Sequence, residues 1–363
     1  MDIRINNLFS DVADPRVDRT KYHPFESILY IALCATLAGI ESWIGMYDYA
    51  LAHEEILRQY IDLPRGIPSH DTIGRVISAL DVEQFERCFV EFTQKLADRV
   101  KGIIAIDGKT IRGSKTKNKK ACHIVSAWSD ANKLVLAQVK TDEKSNEITA
   151  IPALLDRLDL QGQIVTLDAM GCQRAISEQI VEKGGDYVIS LKGNQGSLHE
   201  DVRLWFEDKE NQLTQIWEER DKGHGRIEHR FCEATDDIEW LQERHNWPGL
   251  KSIAVVHSTR ETKKGIEKES RYYISSLASN AEKIARAARA HWGIENSLHW
   301  VLDVTMNEDK IQIHNENAPE ILSIMRKWGL NLINSNKGKC SVKRMIQKMA
   351  MSPKNLFKML LNF

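Results

Sequence analysis

Cysteine is scarce in this sequence and never clustered. Cys34, Cys88, Cys122, Cys172, Cys232 and Cys340 are scattered over 363 positions with no Cys-x-x-Cys pair, which argues against a disulfide framework or a zinc ribbon. Long apolar runs are missing too. The longest, Ile28 to Ile40, is 13 residues, short of the ~18 or more of a membrane span, and the N-terminus shows no basic region followed by an apolar signal core. A cytoplasmic protein with no membrane partner is expected. There is no internal repeat or low-complexity linker. The glycines of "LKGNQG" (191–196) fit neither a P-loop nor a dinucleotide fingerprint, so no nucleotide cofactor is expected.

Charge is absent only on average. The net value of −1 argues against a uniformly basic nucleic-acid binder, yet the distribution along the chain is uneven. Residues 1–100 hold 10 Lys+Arg against 16 Asp+Glu, whereas 101–120 hold seven basic residues and the single acid Asp107. From Met325 to Phe363 there are nine basic residues and no acidic one. A polyanion can lie along those two segments while the acidic segments keep the total near zero. With 42% hydrophobic and 28% charged residues, the chain reads as globular, long enough for two or three modules.

The first hundred residues read as helices: Phe25 to Gly39, Trp43 to Tyr60, Ser69 to Leu80 capped by Ser69 after Pro68, and Val82 to Arg99. The third resembles the short helix of a helix-turn-helix, although an all-helical packing module fits equally well. From Lys101 short β-rich runs take over: "GIIAID" ending at Asp107, "CHIVSAWS" (122–129) and "KLVLAQVKT" (133–141), with a hairpin turn at Asp130-Ala131-Asn132. An amphipathic segment from Glu147 to Leu158 precedes "QIVTLD" (163–168), a helix from Cys172 to Lys183 and "DYVISLK" (186–192). This β-β-β-α-β-α-β order is that of a ribonuclease-H-like α/β fold. Strands are expected again at 226–234, 250–260 and 270–277, forming an inserted β-rich subdomain. A long helix from about Ala281 to Val301 follows, capped by Ser279 or Asn280, and the remainder is helical and basic.

Asp107 and Asp168 each end an apolar β-run. One such Asp is ordinarily a turn residue; two on strands expected to be neighbours point to a metal ion, because a carboxylate at the edge of a core needs a cation or hydrogen bonds. The long helix offers Glu295, with His291 and His299 four residues to either side. Three carboxylates can hold two ions for in-line phosphoryl displacement, and hard oxygen ligands favour Mg²⁺ or Mn²⁺. A zinc site made of His291, Glu295 and His299 is the competing reading, but His-Glu-x-x-His spacing is lacking. Trp292 and Trp300 read as packing residues, with stacking on an unpaired base as the alternative.

The strings "FESILYIALCATLAGIESW", "GIPSHDTIGRVISALD", "IAIDGKTIRGS", "TDEKSNEITAIPALLD", "IVTLDAMGCQRAISEQIVEKGGDYVISLKGNQGSLHEDV" and "HWGIENSLHWVLDVTMNED" resemble the insertion-sequence DDE transposases of the ISAs group, the H-repeat-associated type. The resemblance covers almost the whole chain. It implies a helical N-terminal DNA-binding domain (1–100) and a ribonuclease-H-like catalytic domain (101–335) with a β-rich insertion at about 195–280; the basic, helical remainder is read as a tail (336–363). It also implies that Asp107, Asp168 and Glu295 are the catalytic, metal-holding acids, and that the reaction is divalent-metal-dependent cleavage and joining of DNA. Related groups carry Tyr, Arg and Lys around the final Glu; by spacing those positions are Ala288, His291 and Leu302 here, so that signature is absent. Asp303 and Glu308 stand near enough in sequence to replace or support Glu295. Lys109 and Arg112, with Lys192 and Asn194 in the glycine-containing loop, are expected to meet the DNA backbone, solvated surface positions being the alternative. The expected partners are double-stranded DNA, as the terminal inverted repeats of the element and as target, and further copies of the chain, since two ends must be brought together. A DNA-binding relic without activity and a nuclease without strand transfer are the rival functions.

Overall fold

A computed structural model describes residues 8–96, 102–141, 146–208, 214–223, 225–263 and 265–361. Its helical layer opens with α1 (Phe25–Leu37), α2 (Trp43–Ala52), α3 (Glu54–Leu57), α4 (His70–Ala79) and α5 (Val82–Leu96). α1 is apolar around its circumference, and Ser27 to Leu37 are all buried, as befits a helix enclosed by others. Side-chain caps fix two starts: Ser42 accepts from Gly45 N–H, and Ser69 from Thr72 N–H. The single helix expected over Trp43 to Tyr60 is broken after Ala52, where His53 leaves helical geometry. The expected end of α5 at Arg99 lies outside the described residues.

The centre of this layer comes from the far end of the chain. Trp328, on α11 (Ala318–Asn336), has its ring 5.3 to 5.8 Å from those of Phe9, Phe85, Phe89 and Phe92. α12 (Val342–Met351) packs on α1 and α11, and α13 (Lys354–Leu360) on α11 and α12.

Nine strands form one sheet in the order β3-β2-β1-β4-β5-β9-β8-β7-β6. β1 (Ile103–Ile111), β2 (Cys122–Ser129) and β3 (Leu134–Lys140) are an antiparallel meander; β4 (Ile164–Leu167) and β5 (Asp186–Leu191) add in parallel beside β1. This is the ribonuclease-H-like plan that the element order implied. α6 (Glu147–Asp156) and α7 (Arg174–Glu182) supply the crossovers, and Ile104, Ile106, Val165 and Leu167 share a core with them.

The inserted strands do not form a separate layer. β6 (Gln215–Gly223), β7 (Arg226–Thr235), β8 (Ser252–Thr262) and β9 (Gly265–Ser275) extend the same sheet, because β9 pairs with β5 from Val188–Ser275 to Leu191–Tyr272. β6 escaped the sequence reading because "QIWEERDKG" is an exposed outer strand with almost no apolar alternation. α8 (Gly196–Glu207) and α9 (Glu239–His245) were likewise unforeseen. α10 (Ala281–Ile294), capped by Asn280, crosses the face opposite the crossover core and buries Ile284, Ala287 and Ala288 against Val188 and Ala254.

The edge at β3 is sealed by side chains from the helical layer. Asn331 accepts from Val135 N–H and donates to Val135 C=O, both at 2.8 Å, and Glu86 accepts from Gln138 N–H at 2.8 Å. No described helix is long and apolar enough to cross a membrane.

Candidate active site

The register of two parallel strands sets the geometry. Ile103 to Ile106 on β1 lie beside Ile164 to Leu167 on β4, so the next residue on each path is an aspartate, Asp107 and Asp168, at neighbouring positions where the pairing ends. Ile104 and Ile106 face the crossover core; Asp107, by alternation, faces α10. Contrary to expectation, β1 does not stop at Asp107. It continues to Ile111 because β2 pairs with it that far. Asp168 does follow the last residue of β4, and its Oδ1 accepts from Met170 and Gly171 N–H at 2.9 and 3.2 Å, so turn chemistry and a site role coexist there.

Glu295 sits, exposed, where α10 gives way to a π-helical stretch, Glu295–His299 and Val301–Thr305. The wider π turn changes which side chains look down at the sheet. His291 Nδ1 is 3.1 Å from Thr166 Oγ1 on β4, and His299 Nδ1 is 3.4 Å from Asp107 Oδ2. Burial pushes the His299 imidazole down to about 3, so a neutral ring, not an imidazolium, lies against that carboxyl group. Its Nε2 is buried without a partner among the described residues. The two histidines thus face different neighbours, and no zinc triad of His291, Glu295 and His299 is assembled.

Asp107 is pushed up to about 7, first by burial and then by the carboxylate of Glu147, with Asp168 and Glu295 adding to the effect. Glu147 is a residue the sequence reading did not single out. It begins α6, and its Oε1 lies 2.8 Å from His123 Nε2, whose Nδ1 is 2.8 Å from Thr110 Oγ1. Gly108 makes room for this pair, since a Cβ there would collide with both Glu147 and His123. Nothing local in the sequence marks Glu147, because only the packing of α6 on the sheet brings it to Asp107.

Lys109 is not a surface cation. Its Nζ lies 2.6 Å from Asp303, 2.9 Å from Glu308 and 3.3 Å from Asp309, and it is only 9% exposed. Asp303 and Glu308 are therefore engaged with this lysine, on the segment that follows Glu295. Arg112 points outward, its side chain 85% exposed. Lys192 is exposed just past β5, and Asn194 Nδ2 donates to Ala169 C=O at 2.5 Å, which holds the loop beside Asp168.

Among the described residues, no three His, Cys, Asp or Glu form a closed metal cage. The donors nevertheless fit a hard divalent ion. Asp107, Asp168 and Glu295 would offer it oxygen donors, the last two lying close enough to raise the Asp107 pKa, and Lys109, the cation nearest in sequence, is turned to other acids. Mg²⁺ ordinarily takes one or two carboxylates and completes its shell with waters and substrate phosphate oxygens, so an open set suffices. Beside Glu295, a groove of about 650 Å³ separates α10 from the inserted strands; its lining includes Arg226, Arg230, Arg271 and Arg289, the first three paired with Glu228 or Glu269 of the same lining, together with Trp292 and Asn296. The Arg271 guanidinium lies over the Trp292 ring at 4.4 Å.

Comparison with known proteins identifies the family. The family described as Transposase DDE domain matches residues 98–332, and the one described as DDE_Tnp_1-associated matches 6–93. The chain is 43% identical over 342 residues to the "H repeat-associated putative transposase YhhI" of Escherichia coli (strain K12), covering 91% of this chain and 90% of that protein. It is 44% identical over 357 residues to the "Putative transposase YncI" of Escherichia coli O157:H7, covering 94% and 90%. A shorter relative of strain K12, "Inactive transposase YbfQ", is 43% identical over 56 residues, covering 15% of this chain and 67% of that protein. With most of its length matched by both the catalytic-domain family and these relatives, the chain belongs to the DDE transposases, in the group of the H repeat-associated proteins.

Proposed function

We propose that this protein cuts and joins DNA at the ends of an insertion sequence by phosphoryl transfer, with Asp107, Asp168 and Glu295 as its catalytic acids and as the ligands of Mg²⁺ or Mn²⁺. The observation that carries this reading is the β1–β4 register, which sets two aspartates side by side on the face crossed by the helix leading to Glu295. When bound, divalent ions polarise the phosphodiester and activate a water or 3′-hydroxyl. The chain's own residues bind and orient. His299, neutral against Asp107 Oδ2, limits rotation of that carboxyl group. Lys109 ties the segment after Glu295 to β1 through Asp303, Glu308 and Asp309, which gives those acids a supporting role. Arg112, Lys192 and Asn194 rim the site where a DNA backbone would pass, and the arginines of the adjoining groove add positive charge. The substrates are the terminal inverted repeats and a target duplex; bringing two ends together calls for a homo-oligomer, and a DNA substrate for a cytoplasmic location.

The test is cleavage and joining of labelled duplexes carrying the DNA that flanks the coding region, with Mg²⁺ or Mn²⁺. Asp107→Asn, Asp168→Asn and Glu295→Gln are each expected to bind the ends as the native chain does. Cutting should fall by ~10³-fold or more, roughly 4 kcal/mol of barrier. Cutting without joined product favours a nuclease. Binding without cutting by the native chain favours a DNA-binding relic, a state consistent with the name of the inactive relative.

A further inference from the structure

Beyond residue 332, where the catalytic-domain match ends, the chain has a surface that neither family accounts for. No Asp or Glu follows Glu320 in the sequence. Two of the basic residues after it, Arg326 and Lys327, are buried in α11; the next ones are not. Lys339, Lys343, Arg344, Lys348, Lys354 and Lys358 are all exposed, and none has an ion pair among the described residues.

These cations are held on a fixed face. α12 buries Met345 and Met349 on the side of α1, and Tyr49 donates to Met349 C=O at 3.0 Å. α13 buries Leu356, Phe357, Met359 and Leu360, with the Phe357 ring stacked on Tyr60 at 4.4 Å. Docking of those apolar sides leaves Lys343, Arg344 and Lys348 along the outer side of α12. Arg344 and Lys348, one turn apart on the same side of the helix, are about 6 Å apart along its axis, close to two base-pair steps of 3.4 Å, with Lys343 flanking them. Their placement is unfavourable for the helix itself. Lys343 and Arg344 occupy the first turn of α12, where the backbone already carries partial positive charge and an acid would be stabilising. A polyanion laid on this face removes both the mutual repulsion and the conflict with the helix end.

We infer that α12 and α13 form a second, sequence-independent docking surface for the phosphate backbone of duplex DNA, separate from the carboxylate site. The inference rests on the transposase reading for its choice of polyanion. The test compares the full chain with one carrying Lys343→Gln, Arg344→Gln, Lys348→Gln, Lys354→Gln and Lys358→Gln, titrated with a 30-bp duplex of arbitrary sequence across a series of salt concentrations without divalent ions. Each lost phosphate contact lowers the slope of log K against log salt by about 0.9, so a slope shallower by ~3 to 4 and weaker low-salt binding are expected. A version with Arg at the four lysine positions should keep the native slope. Unchanged circular dichroism and thermal unfolding exclude a folding defect; if the fivefold variant fails to fold, Arg344→Gln with Lys348→Gln, expected to lower the slope by ~2, replaces it. Equal slopes and affinities for native and variant would overturn the surface while leaving the transposase reading intact. Failure of the native chain to bind any duplex at low salt would overturn both.

Discussion

Lys109 stands two residues beyond Asp107, close enough in sequence to pass for a phosphate contact, yet its ammonium points into the protein. Burial opposes its charge, but Glu308 and Asp303 outweigh that effect and hold the lysine pKa above its ordinary value. The reciprocal effect falls on Glu308. Burial alone would raise its carboxyl pKa; Lys109, Lys327 and Arg326 overcome that and bring it down to about 2. A folded-state pKa below the unfolded one means that the unfolded chain binds more protons between about 2 and 4.5. Stability from this group is therefore complete above pH 4.5 and is lost as pH falls towards 2, by roughly 3 kcal/mol in all. Glu308→Gln is expected to be less stable than the native chain at neutral pH and to show a shallower loss across that acid window, as read from urea unfolding at a series of pH values. Parallel acid branches for the two proteins would mean that Glu308 is not held down in this way.

Between elements, α1 and α11 approach closely. Gly329 lies against Leu37, and a Cβ there would overlap the leucine side chain. Glycine costs a helix interior ~1 kcal/mol relative to alanine, so its presence mid-α11 reflects this packing. Gly329→Ala is expected to reverse the usual gain and destabilise the protein by about 1–3 kcal/mol through overpacking, measured by denaturant titration. A stabilised variant would show that Leu37 moves aside freely. The π-helical turns after α10 are another element-level feature hidden from the sequence. Apolar spacing through Ile294, Leu298 and Leu302 suits an α-helix, yet from Glu295 the helix is π, and the same stretch carries Asp303 to Lys109.

At the scale of the molecule, the helical layer does not have a core of its own. Its aromatic centre is Trp328, and α12 and α13 complete its outer wall, so chain segments from both ends share one hydrophobic cluster. That cluster also takes in Ala105, Trp128 and Val135 of the sheet. Residues 1–100 expressed alone should therefore lack near-ultraviolet circular dichroism and cooperative thermal unfolding; adding residues 318–363 through a flexible linker should restore both. A cooperative transition in the short fragment would refute the shared core. The boundaries expected at 100 and 336 divide the chain by position, whereas burial joins residues hundreds of positions apart.

The sequence by itself determined the elements whose signal is local. Strands with apolar runs, helices with caps such as Ser69 and Asn280, and the acids at 107 and 168 were legible because hydrophobic periodicity and turn chemistry act over a few residues. The ordered motifs also identified the family. Only the tertiary structure decided what depends on distant partners. It joined the inserted strands to the catalytic sheet through β5 and β9, brought Glu147 to Asp107, turned Lys109 inward, and sealed the β3 edge with Glu86 and Asn331. Each of these is a choice between solvent and a group far along the chain. Its outcome is set by desolvation and pairing in the folded core, where a buried charge or an unpaired backbone amide is far more costly than the same group in water.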